Sequence, residues 1–126
     1  MTTEDMHQQA LFQWADAATV GDVHVGSYLL AIPNGGKRSI KTAVDLKKTG
    51  VKKGVPDIFL PVPRGTMHGL WIELKAPSGA NLRKGRLSQE QVDWLDKLGN
   101  QGYAAVVCWG WESARNTIKE YLECAA

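Results

Sequence analysis

A chain of 126 residues, 44% hydrophobic and 22% charged, is long enough for one buried core and too short for two, which sets a single domain over 1–126 without compositional disorder. No stretch reaches the roughly 18 consecutive apolar residues of a membrane span, and the polar, acidic N-terminus has no signal-peptide character. Cys108 and Cys124 fit neither a metal spacing nor a disulfide framework, and a net charge of +2 is too small to identify a polyanionic partner, so a soluble cytoplasmic protein with reduced thiols is expected.

In chain order, Met6, Ala10, Leu11, Trp14 and Ala17 recur at helical spacing and predict a helix over 3–18, capped by Thr2 or Thr3. Glu4 and Gln8 lie one turn apart on it, and an acid in a first turn complements the helix dipole. The segment 23–32 has strand composition, and its run Tyr28, Leu29, Leu30, Ile32 predicts burial on both faces. Pro33-Asn34-Gly35-Gly36 turns the chain, and a short helix over 39–49 ends at Gly50. Strands over 57–62 and 69–75 form a hairpin around the loop 63–68. After an exposed loop over 76–85, Ser88 and Gln91 make a capping box that opens a helix with Val92, Leu95 and Leu98 as its buried stripe and Trp94 beside it. An interior strand over 103–109 and a closing helix over 111–122, packed by Ala114, Ile118 and Tyr121, complete the order α-β-α-β-β-α-β-α, an α/β sandwich around a mixed sheet.

The chemistry concentrates in that hairpin. In Trp71-Ile72-Glu73-Leu74-Lys75 the period of two sends Glu73 and Lys75 to one side and Ile72 and Leu74 to the core, and strand pairing lets the Asp57 carboxylate converge on Glu73. Close carboxylates repel, and a hard divalent cation such as Mg2+ or Mn2+ relieves them while keeping positions for water and phosphate. Trp71 shares that parity and either stacks on a base or shields the sheet. Seven of the 15 basic residues lie between Lys37 and Lys53, among them Lys41 and Lys52, and Arg83, Lys84 and Arg86 crowd one loop. Both clusters flank the carboxylates in sequence, as a phosphate-binding surface would, although a solubilising face is the commoner meaning of such runs. The lysines that follow the 39–49 helix also complement its C-terminus. His7, His24 and His68 show no paired ligand spacing and are expected to be ordinary surface or core-edge residues, and no glycine-rich segment matches a P-loop or dinucleotide fingerprint, so no nucleotide cofactor is expected.

Pro56-Asp57 opening one strand and Glu73-Leu74-Lys75 in the next match the PD-(D/E)XK pattern of metal-dependent nucleases. More narrowly, Gly54-Val55-Pro56-Asp57, Trp71 to Lys75, Leu87-Ser88, Gln91, Trp94, Leu98 and Gly102 resemble the VRR-NUC family over nearly the whole chain. The resemblance implies a restriction-endonuclease-like αβββαβ core, with the helix before Asp57 as an insertion. It implies Asp57 and Glu73 as ligands of Mg2+ or Mn2+, Glu4 as a third carboxylate, the Leu74 carbonyl as a further oxygen, and Lys75 as the group that orients or activates the attacking water. It also implies Gln91 near the site, in tension with its capping role, and Lys37 and Arg38 near DNA. Phage and bacterial members of this standalone kind resemble Holliday-junction resolvases and act as homodimers. The expected function is therefore metal-dependent endonucleolytic cleavage of branched DNA, with nicking or general duplex cleavage, or a non-catalytic nucleic-acid-binding module, as alternatives.

Overall fold

The computed structural model describes residues 2–33, 40–78 and 85–124, with backbone alone at 40–43. Helix α1 (Thr3–Ala17) starts where Thr2 turns extended. The Thr2 hydroxyl accepts the Asp5 amide, the Asp5 carboxylate accepts the Thr2 amide, and two otherwise orphaned donors are satisfied together. Leu11 and Ala15 are its fully buried residues.

The expectation of one doubly buried strand over 23–32 is corrected. A small hairpin, β1 (Thr19–Val20) with β2 (Val23–His24), leads into a 3-10 turn at Val25–Ser27, and only β3 (Leu30–Ala31) joins the main sheet. Local anchoring to α1 breaks the strand. The His24 ring bonds the Asp16 carbonyl from Nε2 at 2.9 Å and Ser27 Oγ from Nδ1 at 2.8 Å, and Gly26 lies so close to α1 that a Cβ there would stand 2.8 Å from the Asp16 Cα. Tyr28 and Leu30 are consequently half exposed, at 46% and 48%, because β3 lies at the end of the sheet.

After α2 (Ile40–Lys48) come β4 (Ile58–Leu60), β5 (Leu70–Lys75), α3 (Gln89–Asn100), β6 (Ala104–Trp109) and α4 (Trp111–Glu123). The main sheet has the order β3-β4-β5-β6, antiparallel across the first two pairings and parallel across the last, with α3 as the crossover that a parallel pair requires. This is the expected αβββαβ core and mixed four-stranded sheet. Alternation along β5 sends Leu70, Ile72 and Leu74 into the main core with Leu11 and Ala15 of α1 and Ala114, Ile118 and Leu122 of α4.

The opposite face carries α3 and a thinner aromatic layer. Trp71 stacks on Phe59 with ring centroids 4.2 Å apart, and Tyr103 meets both edge-on. Of the two readings of Trp71, the geometry shows the shielding one. Two expectations about burial change here. The α3 stripe of Val92, Leu95 and Leu98 faces the sheet but is only half-buried, and β6, expected to be interior, is half-buried except at Cys108. Among the described residues β6 pairs on one side only, so helices cover it without sealing it.

Gly54 fixes how α3 meets the segment that carries Asp57 into β4. It has φ +93° and is buried, and a Cβ there would lie 2.7 Å from the Glu90 carbonyl carbon. Gly54→Ala combines a left-handed backbone with a backbone clash, costing about 3 kcal/mol. A fall of about 10 °C in the thermal midpoint is expected, and an unchanged midpoint would show that α3 can retreat freely.

Candidate active site

The register of the β4-β5 hairpin builds the centre. Ile58 pairs with Ile72 and Phe59 with Trp71, so Asp57, the residue just before β4, falls opposite Glu73. Proline at 56, which cannot donate to a ladder, and the tight approach at Gly54 end the strand at this point. Asp57 Oδ1 then accepts the Leu74 amide at 2.9 Å, which fastens the carboxylate across the hairpin mouth. Asp57, Glu73 and Lys75 are the buried charged residues of the described chain, with exposures of 9%, 2% and 9%.

Such burial is costly for isolated charges, and the electrostatics register it. The Glu73 carboxyl is pushed up to about 8, first by desolvation and then by the nearby Asp57 charge, against the opposing pull of Lys75. Asp57 is pushed up to about 6 by desolvation, moderated by its bond from the Leu74 amide. Glu4, at the exposed start of α1, adds negative potential to both and raises both. Glu73 Oε1 is buried without a hydrogen-bond partner. A buried, unpaired carboxylate oxygen beside a second carboxylate fits a hard divalent cation. Among the described residues no three His, Cys, Asp or Glu side chains are gathered as a metal-holding group, so the site rests on the Asp57–Glu73 pair, with Glu4 at longer range.

Lys75 is enclosed by the chain just beyond the end of β5. Gly85 closes the loop by donating to the Ala76 carbonyl at 3.0 Å, a Cβ on it would stand 3.2 Å from the Lys75 Cβ, and its carbonyl accepts Trp109 Nε1 at 2.7 Å. The lysine stem is thus walled in, and the exposed Arg86 is placed next to that wall.

The other expected residues divide. Gln91 Oε1 accepts the Ser88 amide at 2.8 Å and Ser88 Oγ accepts the Gln91 amide at 3.2 Å, so the capping box forms. That bond commits one lone pair of Gln91 Oε1 to the start of α3. Lys52 is exposed, and Lys53 forms an exposed, solvent-screened pair with Glu90 at 3.6 Å. Lys37, Arg38, Arg83, Lys84 and the side chain of Lys41 lie outside the described residues. One residue of interest was missed by sequence reasoning: His7, expected to be ordinary, accepts the Trp111 amide at its Nδ1 at 3.0 Å, 104 residues away. No spacing rule signals so remote a partner.

A mixed sheet whose central hairpin brings two carboxylates and a lysine to one buried spot is the PD-(D/E)XK arrangement, a nuclease-type architecture. The model of the VRR-NUC domain matches residues 3–111, and the chain belongs to that family. A solved structure described as a VRR_NUC domain protein is similar at a TM-score of 0.82 and 26% identity, covering 99% of this chain and 92% of its own. No curated protein matches the sequence.

Proposed function

We propose that the protein is a Mg2+- or Mn2+-dependent endodeoxyribonuclease that cuts branched DNA, with four-way junctions as the favoured substrate class and a homodimer as the working unit. The observation that carries the reading is the buried Asp57–Glu73 pair, with one carboxylate oxygen unpartnered and Lys75 beside it. Asp57 and Glu73 would hold the metal, with Glu4 and the Leu74 carbonyl as further oxygens. An ion held there would lower the pKa of a bound water and polarise the scissile phosphate. Lys75 orients the attacking water and offsets the charge on the oxygens of the pentacovalent phosphate, and its walled stem keeps that cation in place before substrate arrives. Two such sites across a two-fold axis would suit cutting both strands of a branch.

Four-way, flapped and linear DNA incubated with Mg2+, with Mn2+ and with EDTA test this directly. Metal-dependent cleavage that favours the branched substrates is expected, and full activity in EDTA would overturn the metal-dependent reading. Backbone recognition is assigned to the basic stretch Lys37–Lys53 with Arg83, Lys84 and Arg86. Each phosphate contact contributes a slope of roughly 0.9 to the fall of log affinity with log salt. Neutralising Arg38 and Lys41 together should lower that slope by about two, weaken all sequences alike, and spare the preference for a junction over linear duplex. An unchanged slope would move DNA binding to another face.

A further inference from the structure

Helix α4 begins without a cap of its own. Its N-cap residue is Gly110, at φ +93°, which has no side chain to accept the free amides of the first turn. The missing acceptor comes from the other end of the chain, where His7 Nδ1 takes the Trp111 amide at 3.0 Å. An accepting Nδ1 places the ring proton on Nε2. Beside this bond, the Gly110 amide donates to the Lys75 carbonyl at 2.9 Å. The His7 ring also lies where it would be 3.8 Å from a Cβ on Gly110.

Glu4, His7, Leu11 and Ala15 fall on one stripe of α1, at intervals of three, four and four residues. Leu11 and Ala15 are fully buried and hold the middle of the helix, whereas Thr2, Glu4, Asp5 and Met6 are exposed. The His7–Trp111 bond joins the first two turns of α1 to the start of α4. The same short path continues through Gly110 to the Lys75 backbone. A helix start held only by its own cap frays, and a carboxylate on it would visit the metal position without residing there.

We propose that His7 is a positioning residue for the metal centre: by accepting the Trp111 amide it locks the first turns of α1, and with them Glu4, to the strand end that carries Lys75. This rests on the metal-dependent reading above and deepens it. His7 touches neither metal nor substrate, and it acts through the placement of Glu4.

Mn2+ titration of the free protein, followed by the loss of the free-ion paramagnetic resonance signal, tests this without DNA or turnover. His7→Ala is expected to weaken Mn2+ binding about tenfold, the low end of what loss of a group that orients metal ligands costs. Glu4→Gln should weaken it comparably, and His7→Ala added to Glu4→Gln should weaken it no further, because the two act through one carboxylate. His7→Asn should restore most of the affinity, since its Oδ1 is attached to Cγ as Nδ1 is and can accept the same amide. Cleavage rates in Mg2+ should follow the same pattern, while junction affinity in Ca2+ stays within about twofold. An equal loss from His7→Ala with or without Glu4, or no rescue by asparagine, would reduce His7 to a structural cap and overturn the proposal. Wild-type protein that binds no Mn2+ would overturn the metal-dependent reading and this proposal with it. Wild-type binding left unaltered by His7→Ala would overturn this proposal alone.

Discussion

Asp57→Asn and Glu73→Gln should each abolish cleavage, by at least about a thousandfold, while making the metal-free protein more heat-stable at pH 8. Losing the chemistry follows from removing one of the two carboxylates that would hold the ion, whose positive charge would lower the pKa of a bound water. The gain in stability follows from the burial of the pair. Both carboxyls have folded-state values above their ordinary ones, Glu73 at about 8 and Asp57 at about 6, so between about pH 4 and pH 8 the folded chain binds more protons than the unfolded one. Stability from this pair is fully present below pH 4 and is lost as pH rises through 6 and then 8. A neutral amide at either position removes the repulsion that grows over this interval. Thermal melts without metal should therefore show the variants level with wild type near pH 4.5 and higher by about 3–8 °C at pH 8. Added Mg2+ should raise the wild-type midpoint and leave the variants unmoved. A variant that retains Mg2+-dependent cutting would remove that carboxylate from the centre, and a melt that is flat with pH would contradict the electrostatics of the buried pair.

Lys75→Ala carries the second large effect. The cleavage rate should fall by roughly 10²–10⁴, the scale of losing a pre-placed charge at a developing oxyanion, with DNA affinity in Ca2+ changed by no more than a few-fold. The Lys75 cation also opposes the upward shifts of both carboxyls. Without it the pair holds its protons to still higher pH, so residual activity should move toward alkaline conditions. The metal-free variant should also lose more stability at pH 8 than at pH 5, because removing one partner from a buried charge cluster leaves the other charges uncompensated. Arginine at this position would keep the charge, but the stem space beside Gly85 is tight, with 3.2 Å between a Cβ there and the Lys75 Cβ, so incomplete rescue is expected. Equal losses in binding and cutting would make Lys75 a phosphate contact and nothing more.

Much of the centre was legible in the sequence because it depends on local rules. Strand alternation alone assigned Glu73 and Lys75 to one side of β5 and Ile72 and Leu74 to the other, and the structure keeps both assignments. The capping box at Ser88 and Gln91 was equally readable, since its two bonds span three residues. The exposure of Tyr28 and Leu30 was not. An apolar run states that a segment can be covered, whereas the place of β3 at the end of the sheet decides that it is not. Trp71 illustrates the same division, for its face followed from parity while its partner Phe59 followed from the hairpin register.

The sequence by itself determined the central hairpin, the identity of the two carboxylates and the lysine, the order of elements from α2 onward, and the likeness to the VRR-NUC family, because short-range periodicity and turn chemistry are written in neighbouring residues. Tertiary structure alone decided that Asp57 faces Glu73, that one oxygen of Glu73 has no partner, that Gly54 presses on α3, and that His7 caps a helix 104 residues away. Register, desolvation and remote capping arise only when distant segments pack, and the free energy of a buried charge depends on every group that packing brings around it.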